Sequence, residues 1–95
     1  MATLPNHHRA EIDIAKLRDY CLSPIHLRGR HKARQFLAAL GITAAEADWL
    51  SAAIRDGIST ANAEIDVSDQ FGQRWRVDLM LTRQNRHALV RTVWL

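Results

Sequence analysis

Residues Gln73–Thr82 read "QRWRVDLMLT". Trp75, Val77, Leu79 and Leu81 fall on one side of an alternation, and Arg74, Arg76, Asp78 and Met80 on the other. A period of two is that of a strand with one face buried and one face wet. Outward from it, "RQNR" (83–86) reads as a four-residue hairpin connection, and "HALVRTVWL" (87–95) as a further strand rich in β-branched and aromatic residues. The core face of that strand stays open, because both of its alternate sets hold apolar side chains. On the other side, "AEIDV" (63–67) also alternates. Together these predict a three-stranded antiparallel meander.

Ahead of "GISTAN" (57–62) the period is 3.6. Asp13 can cap a short helix over 14–22, with Ile14, Leu17 and Cys21 on one face and Ser23-Pro24 stopping it. A loop holding Gly29 leads to a second helix from about Arg30 to Leu40. Ala33, Phe36, Leu37 and Leu40 are its expected buried stripe, and Gly41 its C-terminal cap. Thr43 with Glu46 is a capping box opening a third helix that runs to about Ile58, with Ala47, Leu50 and Ile54 inward and Trp49 beside them. The expected fold is α+β: three N-terminal helices followed by a three-stranded antiparallel β-meander. Residues 1–12 read as a flexible N-terminal arm and 13–95 as a single domain.

A chain of 95 residues supports one hydrophobic core. Its hydrophobic fraction of 47% and charged fraction of 24% exclude wholesale disorder. There is no apolar run of the roughly 18 residues that span a bilayer, and "MATLPNHHRAEID" has no apolar segment of a secretory signal. The expectation is a cytoplasmic protein with no membrane partner. The single cysteine, Cys21, reads as a small core residue. Net charge is +3, unevenly spread. Residues 1–34 hold seven Lys/Arg against three acids, 35–69 hold one against six, and 70–95 hold five against one. If the two basic ends meet in the fold, they make a surface for an anionic ligand.

The histidines at 7, 8, 26, 31 and 87 have no i, i+4 pair of the kind that holds zinc, and no phosphate loop, dinucleotide fingerprint or serine elbow is present. No metal and no cofactor is expected. Two helices joined at "LGITA" invite a DNA-binding helix-turn-helix reading, but Glu46, Asp48 and Asp56 on the second of them would repel DNA. The richest cluster is "RGRHKARQF" (28–36), with Arg28, Arg30, His31 and Lys32 at a helix start, where a phosphate is also welcome. Metal-free RNA cleavage needs a base for the 2′-OH proton, an acid for the leaving 5′-oxygen, and cations around the phosphorane. An imidazole such as that of His31 can take or give a proton near neutral pH. Arg74, Arg76, Arg91 and Thr92 on the strands are the facing candidates. The plainer readings are a solvated helix start and, for Arg91, an ion pair with Asp78.

Three blocks, "IDIAKLRDYCLSPIHLRGRHKARQFLAALGIT", "FGQRWRVDL" and "VRTVWL", resemble a family of small uncharacterised bacterial toxin-like domains. Its pattern falls on Ser23, Pro24, His26, Gly29, Lys32, Ala33 and Phe36, then on Gly72, Arg74, Val77 and Asp78, then on Arg91, Thr92 and Trp94. Ser23 stands where Asn is usual, Leu27 where Pro is usual, and Cys21 where an aliphatic is usual. His31 lies off the pattern, which moves weight towards His26 or a lysine-centred site. The resemblance implies the fold group of barnase, EndoU, colicin-type and RelE-type ribonucleases. It also implies RNA as substrate and a cognate antitoxin or immunity protein as partner. The resulting expectation is a metal-independent ribonuclease acting on tRNA or mRNA. His31, Lys32, Arg91 and His26 are its catalytic candidates, and Arg28, Arg30, Arg74, Arg76 and Thr92 its substrate contacts. The alternative is a non-enzymatic protein-interaction module.

Overall fold

A computed structural model of the protein describes residues 2–70 and 72–94; Phe71 and Leu95, which belong to the quoted motifs, lie outside them. The alternating stretch forms β2 (Gly72–Arg83), the centre of an antiparallel sheet ordered β1-β2-β3, with β1 at Ala63–Asp69 and β3 at Arg86–Trp94. Val77, Leu79 and Leu81 are buried. Their cross-strand partners are Thr92, Val90 and Ala88, so pairing settles the open face of β3. Ala88, Val90, Thr92 and Trp94 turn inward, while Leu89, Arg91 and Val93 face out. The connection is tighter than four residues. Arg83 pairs with Arg86, leaving Gln84 and Asn85 as the turn, with Gln84 at φ 57. A register shift between Ile65 and Val67 bulges β1 at Asp66.

Two α-helices occupy their predicted spans, α2 at Arg30–Leu40 and α3 at Ala47–Ile58. Gly41 adopts φ 67, and its N–H donates to the Leu37 carbonyl, closing α2 as a left-handed cap. The Thr43–Glu46 capping box is formed, but it opens a single 3-10 turn, Ala44–Glu46, that runs into α3. Ala47, Leu50, Ile54 and Ile58 bring α3 into the core. On α2, Ala33 and Leu40 are buried and Phe36 half-buried, whereas Leu37, expected inside, is 51% exposed. α2 lies against the β3 margin of the sheet, which covers only a narrow stripe of it.

The first predicted helix takes another form. One α-turn, α1 (Ile14–Lys16), is capped by the Asp13 carboxylate accepting from the Lys16 N–H at 3.1 Å. It passes into a π-helical turn, Leu17–Cys21, closed by the Leu22 N–H donating to the Leu17 carbonyl at 2.8 Å. The wider turn advances the chain by one residue, so Leu22 is the side chain buried in the core, with Cys21 only half-buried. Residues 2–12, expected as a flexible arm, pack on the domain. Leu4 is 4% exposed in the core, the Ala63 N–H donates to the Ala2 carbonyl at 2.8 Å, and Arg55 Nη2 donates to the Ala10 carbonyl at 3.0 Å. The result is three α-helical segments and a three-stranded antiparallel sheet, an α+β architecture.

Candidate functional site

Among the described residues β3 has no strand neighbour beyond β2, so its margin of the sheet is unpaired. Along that margin runs a groove of about 690 Å³, walled by Ala88–Trp94 on one side and by α1, the π-turn and α2 on the other. Its floor is apolar, from Leu17, Phe36, Leu50 and Ile54. Its charged lining is Glu11, Asp13, Lys16, Lys32 and Arg91. The basic N-terminal and C-terminal parts of the chain therefore do meet, and the junction holds acids as well.

Lys32 reaches the groove from the first turn of α2, and the loop before that turn is braced. His26 Nδ1 accepts from the backbone N–H groups of Arg28 (3.1 Å) and Gly29 (3.2 Å), and its ring packs 4.4 Å from that of Tyr20. The Arg30 N–H donates to the His26 carbonyl at 2.9 Å. Gly29 passes so close to Tyr20 that an added Cβ would sit 1.9 Å from the Tyr20 carbonyl oxygen. His26 is thus engaged in holding the loop and does not line the groove. His31 is exposed on α2 and does not line it either, and Arg28 and Arg30 are exposed around the same loop.

On the sheet, Arg91 donates through Nε (2.9 Å) and Nη2 (3.3 Å) to the two carboxylate oxygens of Asp78, the ion pair that its place between apolar neighbours suggests. The hydrogen bond from Arg91 holds the Asp78 carboxyl below the usual aspartate range, and Arg76 adds to this. Arg76 pairs with Glu64 and approaches Asp66 at 3.8 Å on the solvent face. Arg74 is exposed near the start of β2. The Thr92 hydroxyl donates to the Val77 carbonyl and accepts from Trp94 Nε1, both at 2.8 Å, so its proton is committed to the sheet.

Of the sequence candidates, Lys32, Arg91 and Thr92 come together in one groove. His26, His31, Arg28, Arg30, Arg74 and Arg76 are not in its lining. The groove adds Glu11, Asp13 and Lys16, which sequence reasoning passed over because Glu11 fell in the supposed arm. The charged alternation in "EIDIAK" (11–16) was the signal available. Among the described residues no three His, Cys, Asp or Glu side chains are grouped to hold a metal ion. No single helix there is long and apolar enough to cross a membrane. Chemically, the groove offers three cations, Lys16, Lys32 and the Asp78-paired Arg91, an apolar floor, and a carboxylate in Glu11 that can accept a proton.

Fold and groove define a small α+β domain with a mixed-charge cleft at an unpaired sheet margin. The chain belongs to the family described as Domain of unknown function (DUF6883), whose model matches residues 3–95. No curated protein and no solved structure matches it significantly.

Proposed function

We propose that this domain is a toxin-like, metal-independent ribonuclease that cleaves cellular RNA, tRNA or mRNA, by 2′-OH transesterification. It would act as the toxin of a pair with a cognate antitoxin or immunity protein. The observation that supports this reading is the meeting of Lys32, from α2, with Arg91, from β3, along one groove. A phosphodiester seated there meets Lys32 on one wall and competes with Asp78 for Arg91 on the other. A base removes the 2′-OH proton, O2′ attacks phosphorus, and the bond to O5′ breaks as that oxygen gains a proton. Lys32 and Arg91 offset the charge that builds on the phosphorane oxygens. Glu11 is the groove's own candidate for the base, with His31 and His26 standing outside the lining. Arg28, Arg30 and Arg74 are exposed cations that extend the contact to flanking phosphates.

The test is incubation of the purified protein with total RNA in EDTA. Wild type is compared with Lys32→Ala, Arg91→Ala, Glu11→Gln and His31→Ala. The expected outcome is cleavage that survives EDTA and falls about 10²–10⁴-fold in Glu11→Gln, the range for loss of a general base, with smaller losses at the two cations. Intact RNA with the wild type, or cleavage indifferent to all four changes, removes the proposal.

A second reading, a non-enzymatic protein-interaction module, draws on the Asp78 carboxylate that already neutralises Arg91 and on the unpaired margin of β3. It predicts intact RNA and harmless expression of the chain alone.

A further inference from the structure

The loop between the π-turn and α2 carries two large aliphatic side chains in the open. Ile25 is 86% exposed and Leu27 77% exposed. They flank His26, whose ring is turned inward onto Tyr20 and whose Nδ1 and carbonyl hold the following N–H groups. Gly29 cannot carry a side chain against Tyr20 without displacing the backbone. Ile25 and Leu27 therefore stand exposed on a braced loop, on either side of the inward His26.

The sequence around this tip carries one sign of charge. From residue 20 to residue 45 the sequence has no Asp or Glu and holds Arg28, Arg30, Lys32 and Arg34, all exposed. None of the four forms an ion pair with a described residue. Neither Ile25 nor Leu27 lines the groove or the smaller cavity beside Leu4 and Trp94. An apolar tip that projects rather than lines a hollow is buried by sinking into a fluid interface. Cations beside it at the same level meet anionic headgroups. RNA would use the cations but has no stacking use for two aliphatic side chains.

We propose that the loop Ser23–Gly29, with the first turn of α2, is a peripheral docking surface for an anionic lipid bilayer, Ile25 and Leu27 entering the headgroup boundary and Arg28 and Arg30 binding the headgroups. The expectation of no membrane partner came from the lack of a spanning segment, and a peripheral loop needs none. The proposal rests on Ile25 and Leu27, which the ribonuclease reading does not use, while Arg28 and Arg30 serve both readings and the RNA arm of the test separates them.

The test is co-sedimentation of the full chain with vesicles of phosphatidylcholine alone and of phosphatidylcholine mixed with phosphatidylserine. The expected result is binding to the mixed vesicles that weakens as salt rises to about 1 M, where the screening length falls to about 3 Å. Each cation at an anionic surface is worth a factor of about five, so neutralising the pair in Arg28→Gln/Arg30→Gln lowers the partition coefficient about 25-fold. Ile25→Ser/Leu27→Ser lowers it by at least about tenfold. Ile25→Trp raises it, because indole favours the membrane interface. All these sites are exposed, and unchanged thermal unfolding of each variant confirms that folding is intact. Failure of the wild type to bind the mixed vesicles overturns the proposal, as does binding that none of the variants alters. So does an Arg28→Gln/Arg30→Gln variant that loses RNA binding while the wild type ignores vesicles, which would assign the patch to RNA.

Discussion

His26 and His31 lie on either side of Gly29 and do different work. The His26 ring accepts two backbone N–H bonds and packs on Tyr20, while the exposed His31 projects from α2. Replacing His26 by Ala leaves those N–H groups to compete for other partners and costs about 1–2 kcal/mol. His31→Ala changes stability by less than about 0.5 kcal/mol, as surface substitutions do. Urea unfolding of the two variants distinguishes them, and equal losses would contradict the bracing role of His26. Gly29→Ala is the harsher change, because its methyl would overlap the Tyr20 carbonyl and force the backbone apart. A loss of about 3 kcal/mol or more is expected in the same measurement. The motif containing His26, Gly29 and Lys32 was legible as a pattern. That His26 serves the loop was not, because its acceptor role exists only once Tyr20 and the two N–H groups converge.

Among the elements, β3 shows how pairing completes what periodicity leaves open. Its two alternate sets are both partly apolar, and the register with β2 selects Ala88, Val90, Thr92 and Trp94 as the inner set. Thr92→Val keeps the shape and β-preference of the strand but strands the Trp94 indole N–H, at an expected cost of about 1–2 kcal/mol. An equally stable Thr92→Val protein, by thermal unfolding, would mean that the indole finds another partner. Across the strands, Arg91 depresses the Asp78 carboxyl. A carboxyl lowered in the folded state adds stability above its unfolded value and loses it as pH falls through the folded one. The stability difference between wild type and Arg91→Ala should therefore be flat above about pH 5 and shrink below about pH 4. Arg91 is well exposed, so the difference itself is small. A difference that grew on acidification would refute the pairing. The capping signals were legible for the same reason that α2 and α3 begin and end where expected: each is a local contact within a few residues. The π-turn at Leu17–Cys21 was not, since it answers the demand of Leu22 for the core.

At the scale of the whole molecule, the N-terminal segment is the clearest addition by tertiary structure. Leu4 sits in the core beneath residues that read as an arm, and the chain there bonds to Asn62 and Ala63. Leu4→Ala should cost about 2–4 kcal/mol, as for other buried leucines, and a near-zero change in urea unfolding would restore the picture of a free arm. The same packing brings Glu11 to the groove, which a reading of segments could not foresee. The periods, the caps and the charge of each segment were legible along the chain, because those depend on near neighbours. Hence the span of α2, the C-terminal end of α3, the inner face of β2 and the α+β class could be read directly. Which charges meet was settled by packing in three dimensions. It set Lys32 and Arg91 along one groove, gave Arg91 to Asp78 and left Ile25 and Leu27 outside, because contacts between distant residues follow from packing and register rather than from local preference.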